Sequence, residues 1–130
     1  MSIFNRLAGA IATAALISGT AQAAEVRPFD RAAFAAAQAQ GRPILVDVKA
    51  WWCPVCASQA VTIKKAIAEP RYGPLAIFEI DYDAQKSEWR SFAVHKQGTL
   101  IAFHGAREVG RLEFITDKAK INDLLALAVR

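Results

Sequence analysis

The sequence predicts an α/β fold, a central mixed sheet of four to five strands flanked by helices on both faces. Two mostly apolar runs rich in branched side chains, Pro43–Lys49 and Leu75–Asp81, read as strands buried on both faces. Segments with helical apolar spacing precede, separate and follow them. Two further strands joined by a tight turn and a last helix close the chain. A βαβ half followed by a ββα half gives one mixed sheet covered on both sides.

Each element has a local cause. Asp30 is placed to cap an Ala-rich helix running to about Gln40, with Gly41 ending it. The strand Pro43–Lys49 follows. Cys53 comes four residues after Lys49 and opens a helix to about Ala68, whose apolar positions Ala60, Ile63 and Ile67 recur at helical spacing. Pro70 and Gly73-Pro74 break it before the strand Leu75–Asp81. A short helix around Ser87–Phe92 carries Trp89 and Phe92 on one face. Thr99–His104 and Glu108–Ile115 form a hairpin through His104-Gly105-Ala106-Arg107. Thr116 or Asp117 caps a final helix with the apolar stripe Ile121, Leu124, Leu125 and Ala128.

The first residues read as a secretory signal. Arg6 and the amino terminus supply a positive start, Leu7–Ile17 is apolar, and Ala21-Gln22-Ala23 is a small-x-small cleavage site. The apolar run is too short to span a bilayer. Residues 1–23 are therefore expected to be removed and 24–130 to form one domain of about 107 residues in the periplasm. Removal takes away Arg6, so the net charge falls from +4 to about +3. Lys64, Arg90, Arg107 and Lys120 are scattered through the chain, which speaks against a nucleic-acid partner. No repeat or low-complexity tract interrupts the domain, and nothing points to an obligate dimer, so a monomer is expected.

The chain has two cysteines, both in Cys53-Pro54-Val55-Cys56 directly after Trp51-Trp52. Three chemistries use such a pair. A structural bridge closing so small a loop removes little entropy from the unfolded chain. A zinc site needs two more ligands, and His95 and His104 lie far along the chain without ligand spacing. Dithiol–disulfide exchange needs only the pair, opening a helix behind a strand. Outside the cytosol a structural bridge is the default for cysteine, but the tiny loop and the missing ligands leave exchange favoured, and no cofactor or metal is expected.

Val46-Asp47-Val48-Lys49-Ala50-Trp51-Trp52-Cys53-Pro54-Val55-Cys56 resembles the strand-to-helix site of the thioredoxin superfamily. Asp47 stands six residues before the first cysteine and Trp52 immediately before it, as in that family. Gly98-Thr99-Leu100, Phe103 and Glu108-Val109-Gly110-Arg111 match its second half, so the resemblance runs from about Phe29 onward. It looks closest to small periplasmic thioredoxin-like reductases and to the C-terminal domain of transmembrane thiol:disulfide interchange proteins. The resemblance implies a thioredoxin fold and reduction of protein disulfides, with electrons from a membrane donor. It implies Cys53 as an exposed nucleophile favoured by the helix N-terminus, Cys56 as the buried resolving thiol, and Asp47 as a proton carrier for Cys56. Trp52, Pro54, Gln97, Gly98 and Thr99 are implied to dock the substrate.

The chain departs from the family pattern at two places. Gly98 stands where the family usually has a cis-proline; with glycine there, Gln97–Gly98 is expected to be trans, and the loop to be looser. Ile77 stands where many thioredoxins have a lysine beside the buried acid, and Lys49 is a candidate to supply that charge. Alternatives stay open: a disulfide-introducing oxidase, which Pro54 favours; a metal-binding or delivery module using Cys53, Cys56 and His95; and a partner-binding domain with a vestigial CxxC. His95 lies near enough in sequence to line the site, whereas His104 is assigned no chemistry.

Overall fold

The computed structural model describes residues 14–16, 18–19 and 22–130. Most of the expected leader, 1–23, thus lies outside the described residues. The elements are β1 (Glu25–Pro28), α1 (Arg31–Ala39), β2 (Pro43–Lys49), α2 (Pro54–Ala66), a 3-10 turn (Pro70–Tyr72), β3 (Ala76–Asp81), α3 (Lys86–Ser91), β4 (Thr99–His104), β5 (Arg107–Glu113) and α4 (Lys118–Val129). The five strands form one sheet in the order β1-β3-β2-β4-β5. β1, β3 and β2 run parallel, while β4 pairs antiparallel with β2 and β5 antiparallel with β4. The expected mixed sheet is therefore present, with β2 and β3 in its interior.

Side-chain alternation along β2 divides the core. Ile44, Val46 and Val48 join Phe34 of α1, Trp89 of α3 and an aromatic cluster of Phe29, Phe78, Phe92 and Phe103 on one face. Leu45 joins Ile63 and Ala66 of α2 and Ile121, Leu124, Leu125 and Ala128 of α4 on the other. Asp47 shares the second face. The carboxyl therefore lies beneath the helix that the cysteines open.

Local signals hold where they are chemical. Asp30 accepts from the Ala33 amide at 2.8 Å and Asp117 from the Lys120 amide at 2.9 Å, so both cap their helices. Gly41 and Gly105 have φ of +68° and +59°, the left-handed turns expected at the end of α1 and in the hairpin.

Four expectations need correction. The fold begins at Glu25, because Glu25–Pro28 forms a parallel edge strand on β3. Four residues ending in proline show no readable alternation, and proline is tolerated at a sheet edge. β5 ends at Glu113 and not Ile115, since Phe114 turns left-handed at φ +56°. α2 ends at Ala66 rather than Ala68, with Ile67 as its cap residue. The buried stripe of α2 is Cys56, Gln59, Thr62, Ile63 and Ala66, while Ala60 and Ile67 are only half-buried. Two polar side chains thus point inward, which an apolar-only search for periodicity rotates out of view.

Candidate active site

The turn after β2 delivers Cys53 to the N-cap of α2, with Pro54 exposed at the first helical position where its missing N–H costs nothing. The Cys53 Sγ accepts the backbone N–H of Cys56 at 3.1 Å. The two thiols are unbridged. The sulfur thus satisfies one of the helix-end amides that have no partner within the helix. Cys53 is only 3% exposed, as is Cys56, so the expectation of an exposed nucleophile is corrected. As a capping side chain, the sulfur folds back toward its helix and packs with Ala50, Cys56, Val55 and Tyr82. Burial pushes the Cys56 thiol up to about 12; its hydrogen bond with Cys53 adds to this, against the backbone of Ala50.

Asp47 is 5% exposed and its carboxyl is raised from 3.8 to about 7. Loss of hydration is the largest cause, the nearby Lys49 charge opposes it, and Glu79 adds to it. Lys49 bonds the Glu79 carboxylate at 2.6 Å, so Asp47 feels the lysine without being its salt-bridge partner. Asp47, Lys49 and Glu79 line a cavity of about 400 Å³ with Val26, Ala60, Ile63, Lys64, Ile67 and Ile77. Ile77 is buried at the position where a lysine is expected by resemblance, and its side chain forms part of that apolar wall.

Trp52 is 45% exposed, stands edge-on to Tyr82, and donates its indole N–H to Asp83 at 2.9 Å. It is both a packed and a presented ring. Trp51, 91% exposed, escaped the sequence reading because its position gives no periodic signal. Gly98 and Thr99 are buried and Gln97 half-buried.

Gln97–Gly98 is trans, as are all peptide bonds among the described residues. Gly98 adopts φ +76°, and a Cβ there would lie 3.3 Å from Val55 Cγ1, between the cysteines in sequence, and 3.2 Å from the Phe114 ring. The loop is not loosened as expected. The Gly98 N–H, which proline would lack, donates to the Val48 carbonyl at 2.7 Å. The Gly98 carbonyl accepts from the Phe114 amide and from Gln59 Nε2, each at 2.9 Å.

Gln59, like Trp51, was missed by sequence reasoning. It lies three residues after Cys56 and four before Ile63, so helical spacing alone puts it on the buried face. His95 is exposed, and among the described residues no three His, Cys, Asp or Glu side chains gather as a metal site. His104 Nδ1 lies 3.2 Å from the Ala128 carbonyl, linking the hairpin to α4.

Residues 25–126 match the Thioredoxin family. The solved Trxlp from Edwardsiella tarda is 40% identical, with a TM-score of 0.75 over 78% of this chain and 98% of that one. A mutant thioredoxin from Halobacterium salinarum, 18% identical, shares the fold at a TM-score of 0.70, covering 86% of this chain and 97% of that one. Mycobacterium tuberculosis thioredoxin is 32% identical over 80 residues, 62% of this chain and 68% of its own. The bifunctional thioredoxin reductase/thioredoxin of Mycobacterium leprae is 30% identical over 92 residues, 71% of this chain; the match spans 20% of that larger protein. With a CxxC at the mouth of α2 and a sheet order to match, the chain belongs to the thioredoxin family and is a thiol:disulfide oxidoreductase.

Proposed function

We propose that this chain reduces protein disulfides in the periplasm, with Cys53 attacking, Cys56 resolving and Asp47 carrying the proton. The observation that carries this reading is the Cys53 sulfur held at the α2 N-terminus by the Cys56 amide. The Cys53 thiolate attacks one sulfur of a client disulfide. A Cys53–client bond forms, the client S–S bond breaks, and the first client thiolate leaves. The Cys56 thiol then gives its proton to ionised Asp47 and attacks the Cys53 sulfur. A Cys53–Cys56 disulfide forms, the second client thiolate leaves, and two electrons have passed to the client.

A thiol near 12 is almost wholly protonated at neutral pH and needs a base to attack. A carboxyl near 7 is divided between its two forms there, so it both accepts and releases a proton. Trp52, Pro54 and the backbone of Gln97, Gly98 and Thr99 form the docking rim around the buried sulfur. Export is supported by the leader pattern, and β1 begins at Glu25, just beyond the expected cleavage after Ala23. Outside the cytosol the oxidised pair must be recharged, and a membrane protein presenting a reactive dithiol is the donor we infer. The reductive direction is supported by the short connection between β3 and β4, whose helix, α3, has only 6 residues, where the dedicated disulfide-introducing oxidases that the chain resembles carry a large helical insertion.

Mature protein is expected to reduce insulin disulfides with dithiothreitol, and Cys53→Ala to abolish the reaction. A folded but inactive wild type overturns the reading. Direction is decided by the equilibrium potential of the pair against glutathione: around −270 mV supports reduction, and around −120 mV the oxidase alternative. Cell fractionation with a cleavage-site variant tests the compartment.

A further inference from the structure

We propose that Gln59 is a positioning residue that clamps the Gly98 loop to the Phe114–Ile115 turn, holding rigid the backbone that a client must dock against to reach Cys53. The inference rests on the thiol–disulfide reading and adds to it a residue outside the CxxC.

Four observations carry it. The Gln59 side chain is fully buried although it is polar and sits in the middle of α2. Its Nε2 donates to the Gly98 carbonyl at 2.9 Å and to the Ile115 carbonyl at 3.0 Å, so one amide joins two segments that are far apart in sequence. Both partners are carbonyl oxygens, which assigns the nitrogen end of the amide. Among the described residues its Oε1 is buried without a partner, an unsatisfied acceptor that packing alone gives no reason to bear.

The clamped segments face the reactive pair. Gly98 lies against Val55, and the ring of Phe114 lies over the glycine with the Lys96 ammonium 3.8 Å from its centroid. Phe114 is 40% exposed in a left-handed conformation that is strained for a non-glycine residue. Such a conformation persists only where surrounding bonds enforce it. The Phe114 amide to the Gly98 carbonyl is one such bond, and Gln59 ties that same carbonyl to the Ile115 carbonyl that follows the turn residue. With Cys53 buried, a client must settle between Trp52 and this platform to bring its disulfide to the sulfur. The Gly98 position has lost the restraint of a proline ring, and the amide supplies restraint from the helix side.

Two variants of similar length, Gln59→Leu and Gln59→Met, are tested on two disulfides with the full mature protein. For insulin, KM is expected to rise about fivefold to tenfold with kcat nearly unchanged, as for loss of one positioning bond. For the small disulfide of Ellman's reagent, which needs no platform, kcat/KM stays within about twofold. Hydrogen exchange at the Gly98 and Phe114 amides is expected to speed up about tenfold, with Leu45 and Leu100 in the central strands unchanged. Equal losses on both disulfides, or unchanged insulin KM in both variants, overturn the proposal, as do unaltered loop amides. A wild type that reduces neither disulfide counts against the thiol–disulfide reading itself, whereas the exchange measurement decides the clamp on its own.

Discussion

Asp47 makes the clearest link between one residue and measurable behaviour. The native carboxyl titrates near 7 and the unfolded one near 3.8, so the native state holds the proton more tightly. Below the unfolded value both states are protonated and no penalty exists. As pH rises between the two values stability falls, reaching a loss of up to about 4 kcal/mol above the native one. Asp47→Asn is therefore expected to raise Tm at pH 8 and to leave it unchanged at pH 3, while slowing release of the second client thiol. A Tm gain equal at both pH values shows that the buried charge is not its source. Gly98→Pro, which restores the usual family residue, is expected to damage this chain. Proline fixes φ near −65° and has no N–H for the Val48 carbonyl, whereas Gly98 sits at +76° and donates that bond. The expected loss is about 2–4 kcal/mol, read by thermal or urea unfolding. Cys53, Cys56 and Asp47 were all legible as candidates from residue type and spacing. The sulfur's burial was not, because it depends on which way a capping side chain turns.

At the scale of elements, helix starts were the most readable features because an N-cap is a contact between residues three apart. Asp117→Ala removes the acceptor for the Lys120 amide and is expected to cost about 1 kcal/mol, measured as a lower urea midpoint with unchanged slope. The strands buried on both faces, β2 and β3, were legible from apolar runs. β1 was not, since a four-residue edge strand becomes a strand only by pairing with β3. α2 was found with its inward face misread. Gln59 points inward because carbonyl groups from other loops wait for it, and apolar periodicity carries no record of those partners.

Across the whole molecule, the site exists because a parallel pair of strands ends where a helix begins, with an antiparallel pair bringing the Gly98 loop alongside. The same architecture gives a truncation test. A chain starting at Ala24 is expected to keep the Tm of the longer one, since β1 remains paired. One starting at Asp30 loses β1 and Phe29, a core residue, and is expected to unfold several kcal/mol more easily by urea titration. By itself the sequence determined the α/β class, the cysteine pair at a helix start, the buried acid behind it and the glycine facing it. The first two follow from short-range spacing and capping, and the cost of burying charge singles out the acid; the resemblance to the thioredoxin superfamily is what put that acid behind the pair and the glycine opposite it. Tertiary structure alone decided that Cys53 is covered, that Lys49 pairs with Glu79, that Gly98 is tied to Val48, and that Gln59 reaches across to two loops. Apart from the cover over Cys53, which comes mostly from its neighbours Ala50, Val55 and Cys56, these are contacts between residues distant in sequence, where direction and distance choose the partner and residue type does not.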